Sequence, residues 1–149
     1  MWPRVQSLVS IGYQGRTVDE LVRHLIDNNV DVLVDVRLTP VSRKPGLSKR
    51  QLSAAVAAVG IEYVHHRALG NPRDNRDGFR AGDLESVARF RDAVLSTDDA
   101  QRAISQVVEL LEGGVVALLC FEREQAECHR HLVVEHVQRR APTVSVVEV

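Results

Sequence analysis

The chain has 149 residues, 44% hydrophobic and 26% charged, and its 19 basic and 20 acidic side chains leave a net charge of -1. That is the size of one domain, enough to bury roughly two-thirds of the unfolded surface without a disulfide or structural metal. The composition excludes collagen-like, mucin-like and wholly disordered chains, and the charge balance supplies no global field to recruit nucleic acid or an anionic membrane.

Along the chain, segments of strand character alternate with segments of helical period. Val5 to Ile11 is apolar enough for a strand and stops at Gly12. Thr17-Val18-Asp19-Glu20 reads as a capping box, and the apolar residues from Val18 to Ile26 recur at helical spacing, predicting a helix over Val18–Asn29. Asp31 to Val36 is short, β-branched and continuous, as a buried parallel strand requires. A second capping box, Ser48-Lys49-Arg50-Gln51, predicts a helix carrying Leu52, Val56 and Val59, and Ile61 to Val64 is a third strand. From His65 to Gly82 the chain is polar and rich in Gly, Pro, Asn and Asp, a length of structureless loop that usually serves function. Asp83 is expected to cap a short helix carrying Leu84, Val87, Phe90 and Val94, and Thr97 a longer one closed by Gly113-Gly114. Val115 to Cys120 is the most apolar segment and is expected at the sheet centre. Cys128 to Arg140 forms the last helix and Thr143 to Val149 an outer strand.

This alternation predicts one α/β domain over 1–149, a three-layer Rossmann-like arrangement with a mostly parallel sheet of about five strands covered by helices on both faces. In such folds ligands bind outside the carboxyl ends of the strands. Three loops therefore carry the candidate site. The first is Gly12-Tyr13-Gln14-Gly15-Arg16, where glycines permit a tight turn and a helix end offers N–H groups to an anion. The second follows Asp35 and Arg37, running through Ser42, Arg43 and Lys49; from Arg37 to Arg50 it holds five basic residues and no acidic one. A buried, unpaired Asp35 would be costly, so an Arg of the rim, Arg37 or Arg16, is its expected partner. The third runs from Cys120 through Glu122 to Cys128, His129 and Arg130.

The two cysteines cannot build a disulfide framework. Cys128, expected at a helix N-terminus beside His129 and Arg130, should be the more acidic thiol, whereas Cys120 ends an apolar strand where desolvation holds the thiol neutral. As a zinc site the pattern is poor. Seven residues separate the cysteines, no C-x-x-C pair exists, and His129 and His131 would fall on different helix faces. No metal and no cofactor is expected.

Taken together the motifs resemble those of the bacterial and archaeal domain of unknown function family 488. G-Y-x-G-R is matched by Gly12, Tyr13, Gly15 and Arg16. D-V-R-x-x-P-x-S-R is matched by Asp35, Val36, Arg37, Pro40, Ser42 and Arg43, with Ser48 and Lys49 following. I-x-Y and L-G are matched by Ile61, Tyr63, Leu69 and Gly70, and L-C-x-E with C-H-R by Leu119, Cys120, Glu122, Cys128, His129 and Arg130. The resemblance implies the fold and the place of the site, and carries over no reaction. The segment NPRDNRDGFRAGD after Gly70 departs from the pattern, so substrate shape there is not inherited.

The residues favour an enzyme, or a degenerate one, acting on an anionic and phosphate-bearing small molecule or nucleotide. Arg16, Arg37, Arg43 and Arg130 would gather the anion. Cys128 or Cys120 would be the nucleophile, His129 the acid–base group and Glu122 or Asp35 the orienting carboxylate. A rhodanese-like or phosphatase-like loop is absent, since the required Arg six residues after the Cys is Ala126 or Val134 here. The alternative is a non-catalytic nucleic-acid- or protein-binding module using the basic loop 37–50, although few aromatics are present for base stacking. No apolar run approaches the roughly 18 residues of a membrane span, and the N-terminal MWPRVQSLVS lacks the apolar core of a signal peptide. A soluble, cytoplasmic protein with no membrane partner is expected; the oligomeric state is left open.

Overall fold

In a computed structural model, which describes residues 6–149, five strands form one sheet: β1 (Ser7–Gly12), β2 (Val32–Asp35), β3 (Glu62–His65), β4 (Val115–Cys120) and β5 (Ser145–Glu148). Their order is β3-β2-β4-β1-β5 and every pairing is parallel. The expected start of the first strand at Val5 lies outside the described residues. β4 sits at the centre, as its continuous apolar sequence requires, because a strand covered on both faces has no polar side.

Period-2 alternation sorts the strand side chains into two cores. Leu8, Val34, Val116 and Leu118 point to one face and pack with α5 (Asp98–Glu112) and α6 (Arg130–Arg140), through Ile104, Val107, Leu111, Val133 and Val137. Val9, Ile11, Leu33, Ala117 and Leu119 point to the other, against α1 (Val18–Asp27) and α2 (Lys49–Ala57), through Leu21, Leu25, Leu52 and Val56. Each fully buried Leu or Val contributes roughly 1.5–3 kcal/mol, so the two faces together hold the three layers. Among the described residues no helix is long and apolar enough to cross a membrane.

Several local expectations are corrected. The Thr17–Glu20 capping box is present in both directions, but Ser48 makes no side-chain cap. Its hydroxyl instead accepts from Ser42 N–H at 3.0 Å and donates to Ser42 C=O at 3.2 Å, because the returning 37–48 loop offers unpaired backbone groups within reach. The 65–82 stretch is not structureless: it folds into two 3-10 turns (Arg67–Leu69 and Arg73–Asn75) and α3 (Arg76–Arg80). α4 (Leu84–Arg89) runs on into a π-helical turn over Phe90–Leu95, whose wider spacing buries Leu95 five residues after Phe90 and leaves Val94 only half-buried. Leu84 is exposed rather than packed. The last helix begins at Arg130, with His129 as its N-cap and Cys128 still extended.

Candidate functional site

The chain leaves β1 towards β2 and leaves β4 towards β5, so the neighbouring strands β1 and β4 send their outgoing loops in opposite directions. Their carboxyl ends form the switch point of the sheet, where such folds open a crevice. Gly12 and Cys120 are register partners there. Tyr13 and Gln14 N–H continue the pairing by donating to the carbonyls of Cys120 (3.2 Å) and Phe121 (2.8 Å). A Cβ on Gly12 would lie 1.9 Å from the Glu122 carbonyl oxygen, so only glycine lets the Phe121–Arg123 turn fold back over β1.

Asp35 is fully buried and its partner is Arg37. The guanidinium grips the carboxylate with both ends, Nε to Oδ1 at 2.9 Å and Nη2 to Oδ2 at 2.7 Å, while Nη1 donates to Leu47 C=O at 2.7 Å. Oδ1 also accepts the Arg37 N–H, and Oδ2 the Tyr63 hydroxyl at 2.5 Å. Burial works against the Arg37 cation, but the hydrogen bonds and charge of Asp35 outweigh it and hold the proton on. Burial, then the bond to Asp35, pushes the Tyr63 phenol up. All guanidinium nitrogens of Arg37 are thus engaged within the protein, so the residue braces the wall of the crevice.

Period 2 places Cys120 on the opposite face of the sheet from Asp35, towards the start of α6. There its Sγ lies 3.7 Å from His129 Nδ1, and Cys128 Sγ lies 3.7 Å from the same nitrogen. The Cys120 thiol also points at Glu122 Oε2, 3.7 Å away. His129 Nε2 is 2.9 Å from the Val36 carbonyl, which can only accept, so Nε2 carries hydrogen and Nδ1 faces the two sulfurs. The Phe90 ring packs edge-on against the imidazole at 5.2 Å and keeps it in that plane.

The thiol acidities run opposite to the sequence expectation. Cys128 precedes the helix instead of standing among its free N–H groups, and burial pushes its thiol up. Cys120 is pulled below its usual value, first by the hydrogen bond from Cys128 and then, against its own burial, by the His129 charge. Burial lowers His129, and the negative sulfur of Cys120 more than reverses that.

A cavity of about 170 Å³ opens over this group, and Tyr13, Arg37, Cys120, Glu122 and His129 all line it. Gly12, Gly15 and Asp35 are not part of its lining: Asp35 is bonded to the lining residue Arg37, Gly12 precedes the lining residue Tyr13, and Gly15 turns the chain with φ 72°. The other expected ligand residues are not on its wall. Arg16 is buried and donates to the Gly12 and Val149 carbonyls. Arg130, fully buried, donates to Ser10 Oγ (2.6 Å) and to Glu122 C=O (2.8 Å), so it braces the turn from behind. Ser42 is bonded within its own loop, and Arg43 and Lys49 are exposed. Of the five basic residues of that loop, Arg37 and Lys44 are spent on internal carbonyls and on Asp35, leaving three outward. The pocket thus gathers fewer of the named arginines than expected, because burial made two of them structural.

Its cations come instead from the segment that departs from the family pattern. Arg76, Phe79 and Arg80 of α3 line the cavity together with Asn71. Arg80 pairs with Glu122 at 3.0 Å. Arg76, a lining residue, makes one hydrogen bond among the described residues, from Nε to Asn71 C=O, so that bond does not engage its terminal nitrogens. The signal for them was the unusual Arg/Asp density between two glycines; nothing in it revealed a short helix folding back over β4.

The family profile Domain of unknown function DUF488 matches residues 17–137. The chain belongs to the DUF488 family. The match takes in the Asp35–Arg37 wall and the whole Cys120–His129 group, and it leaves the Gly12–Arg16 turn just outside. No curated protein and no solved structure matches the chain. The DUF488 match therefore supports the family and says nothing about the reaction.

Proposed function

We propose that this DUF488 protein is an enzyme whose substrate is an anionic small molecule, a phosphate-bearing metabolite or nucleotide, seated in the cavity at the carboxyl ends of β1 and β4. The observation that carries the reading is the convergence of a thiol, an imidazole and a carboxylate, from Cys120, His129 and Glu122, on the floor of one cavity whose wall holds Arg76 and Arg80. Guanidinium groups bind phosphate through paired N–H donors. Phe79 and Phe121 add apolar faces for the uncharged part of the ligand. Glu122, within the cavity and beside Cys120, is the carboxylate suited to moving a proton. The basic loop offers three exposed cations, Arg43, Lys49 and Arg50, and none of them lines the cavity.

A thermal-shift screen with inorganic phosphate, nucleoside monophosphates and phosphorylated sugars tests the reading. A ligand at a hundred times its Kd stabilises by about 2.7 kcal/mol, a rise in Tm of about 5–11 °C for a chain of this size. The rise should shrink strongly in Arg76→Ala, which disturbs no buried bond except the one to Asn71 C=O. No shift with any anion, or a shift indifferent to Arg76→Ala, refutes the proposal.

A further inference from the structure

We propose that Cys120, Cys128 and His129 hold a divalent zinc-type ion, with its fourth coordination position open to the cavity. His129 Nδ1 stands 3.7 Å from both sulfurs, and the three donor atoms all lie within 4.8 Å of one another. Bond lengths of about 2.3 Å to sulfur and about 2.0–2.1 Å to nitrogen put tetrahedral S and N ligands about 3.6 Å apart and two sulfurs about 3.8 Å apart. The observed S–N spacing already meets that geometry. His129 donates its other ring nitrogen to the Val36 carbonyl, the outer hydrogen bond by which ligating histidines are oriented and their tautomer set.

Charge and softness agree with the geometry. All three side chains are buried. Two thiolates and a dication sum to zero, which suits a site with little water, and binding displaces each thiol proton to solvent. Two sulfurs and an imidazole select zinc over magnesium or calcium, which take oxygen ligands. Cys120, His129 and Glu122 line the cavity whereas Cys128 does not, so an ion among the three ligands would face the cavity on the Glu122 side. The proposal deepens the pocket reading and rests on it for the use of that fourth position: a water there would be acidified, or a ligand oxygen polarised, beside the Glu122 carboxylate. The unfavourable sequence spacing does not apply in three dimensions. Cys128 is extended and His129 is the N-cap, so helix-face geometry does not govern them, and β4 supplies the other sulfur.

The test is metal binding by the full chain. Zinc content after purification is measured by mass spectrometry, the ion is removed with a chelator, and Co²⁺ is titrated back. We expect one equivalent of metal, thiolate-to-cobalt charge transfer with the strong visible bands of tetrahedral cobalt, and both thiols shielded from disulfide reagents until chelator is added. Cys128→Ser and His129→Gln, checked for folding by circular dichroism, should each weaken Co²⁺ binding beyond the about 10–100-fold cost of an outer-shell change. Wild-type protein that takes up no stoichiometric Zn²⁺ or Co²⁺, or thiols that react equally fast with and without Zn²⁺, overturn the site. So do folded variants that bind cobalt as tightly as wild type. The phosphate shift repeated on chelated protein separates the two proposals: retained phosphate binding without metal uptake removes the ion and leaves the pocket, and metal uptake without any anion shift does the reverse.

Discussion

Asp35→Asn should be the most damaging single substitution near the site. The change keeps the shape and removes the charge facing a 5%-exposed Arg37 guanidinium. The side chain itself is fully buried, and it receives two side-chain bonds from Arg37, the Arg37 N–H and the Tyr63 hydroxyl. Breaking one side of such a pair costs about 3–5 kcal/mol, because the remaining charge is left in the interior without compensation. Against a total stability of about 5–15 kcal/mol, that lowers Tm by about 6–20 °C for a chain of this size. Urea denaturation with matched m-values gives the free energy directly. The double variant Asp35→Leu/Arg37→Met removes both charges and should retain more stability than Asp35→Asn alone, since the large term is the orphaned cation and not the lost contact. A loss below about 1 kcal/mol for Asp35→Asn, or a double variant costing the sum of the single ones, would refute this reasoning.

Gly12→Ala drives a methyl group into the Glu122 carbonyl at 1.9 Å, so the Phe121–Arg123 turn must lift; a loss of about 1–3 kcal/mol in urea melts, together with loss of the phosphate shift, is expected. Arg130→Leu leaves the Glu122 carbonyl without its donor and should cost about 1–3 kcal/mol. Lysine should not rescue it, because one ammonium on a flexible stem lacks the planar fork that reaches both Ser10 and the turn. Arg43→Ala and Lys49→Ala, both exposed, should stay within about 0.5 kcal/mol of wild type and leave anion binding unchanged; a large loss of binding there would instead favour the basic-loop module.

The sheet was legible because its signal is local and repeated. Val115–Cys120 is apolar at every position, which only a strand covered on both faces sustains, and the Thr17 and Thr97 caps mark helix starts through hydrogen bonds spanning three residues. The position of Asp35 at the end of a buried strand was enough to demand a cationic partner, but sequence left Arg37 and Arg16 as equals. Sheet order decided it: Arg16 leaves β1 and turns to the Val149 carbonyl after β5, on the side away from β2, whereas Arg37 lies two residues beyond Asp35 and reaches its carboxylate.

The α/β alternation, the central strand and the three loops at its carboxyl end could be read from residue spacing, since each depends on neighbours a few residues apart. Which charged groups face the cavity depends on long-range packing instead. Arg16 and Arg130 belong to the expected loops in sequence, yet Arg16 turns one terminal nitrogen to backbone carbonyls, and Arg130 is held by a buried serine and a carbonyl behind the turn. Arg76 and Arg80 are far from those loops in the chain and reach the cavity because α3 folds back over the end of β4. The same holds for the two sulfurs and His129 Nδ1. A strand end and a pre-helical turn meet across a short loop, and that approach is fixed by the Gly12 contact and the Val36 hydrogen bond, neither of which residue spacing can express.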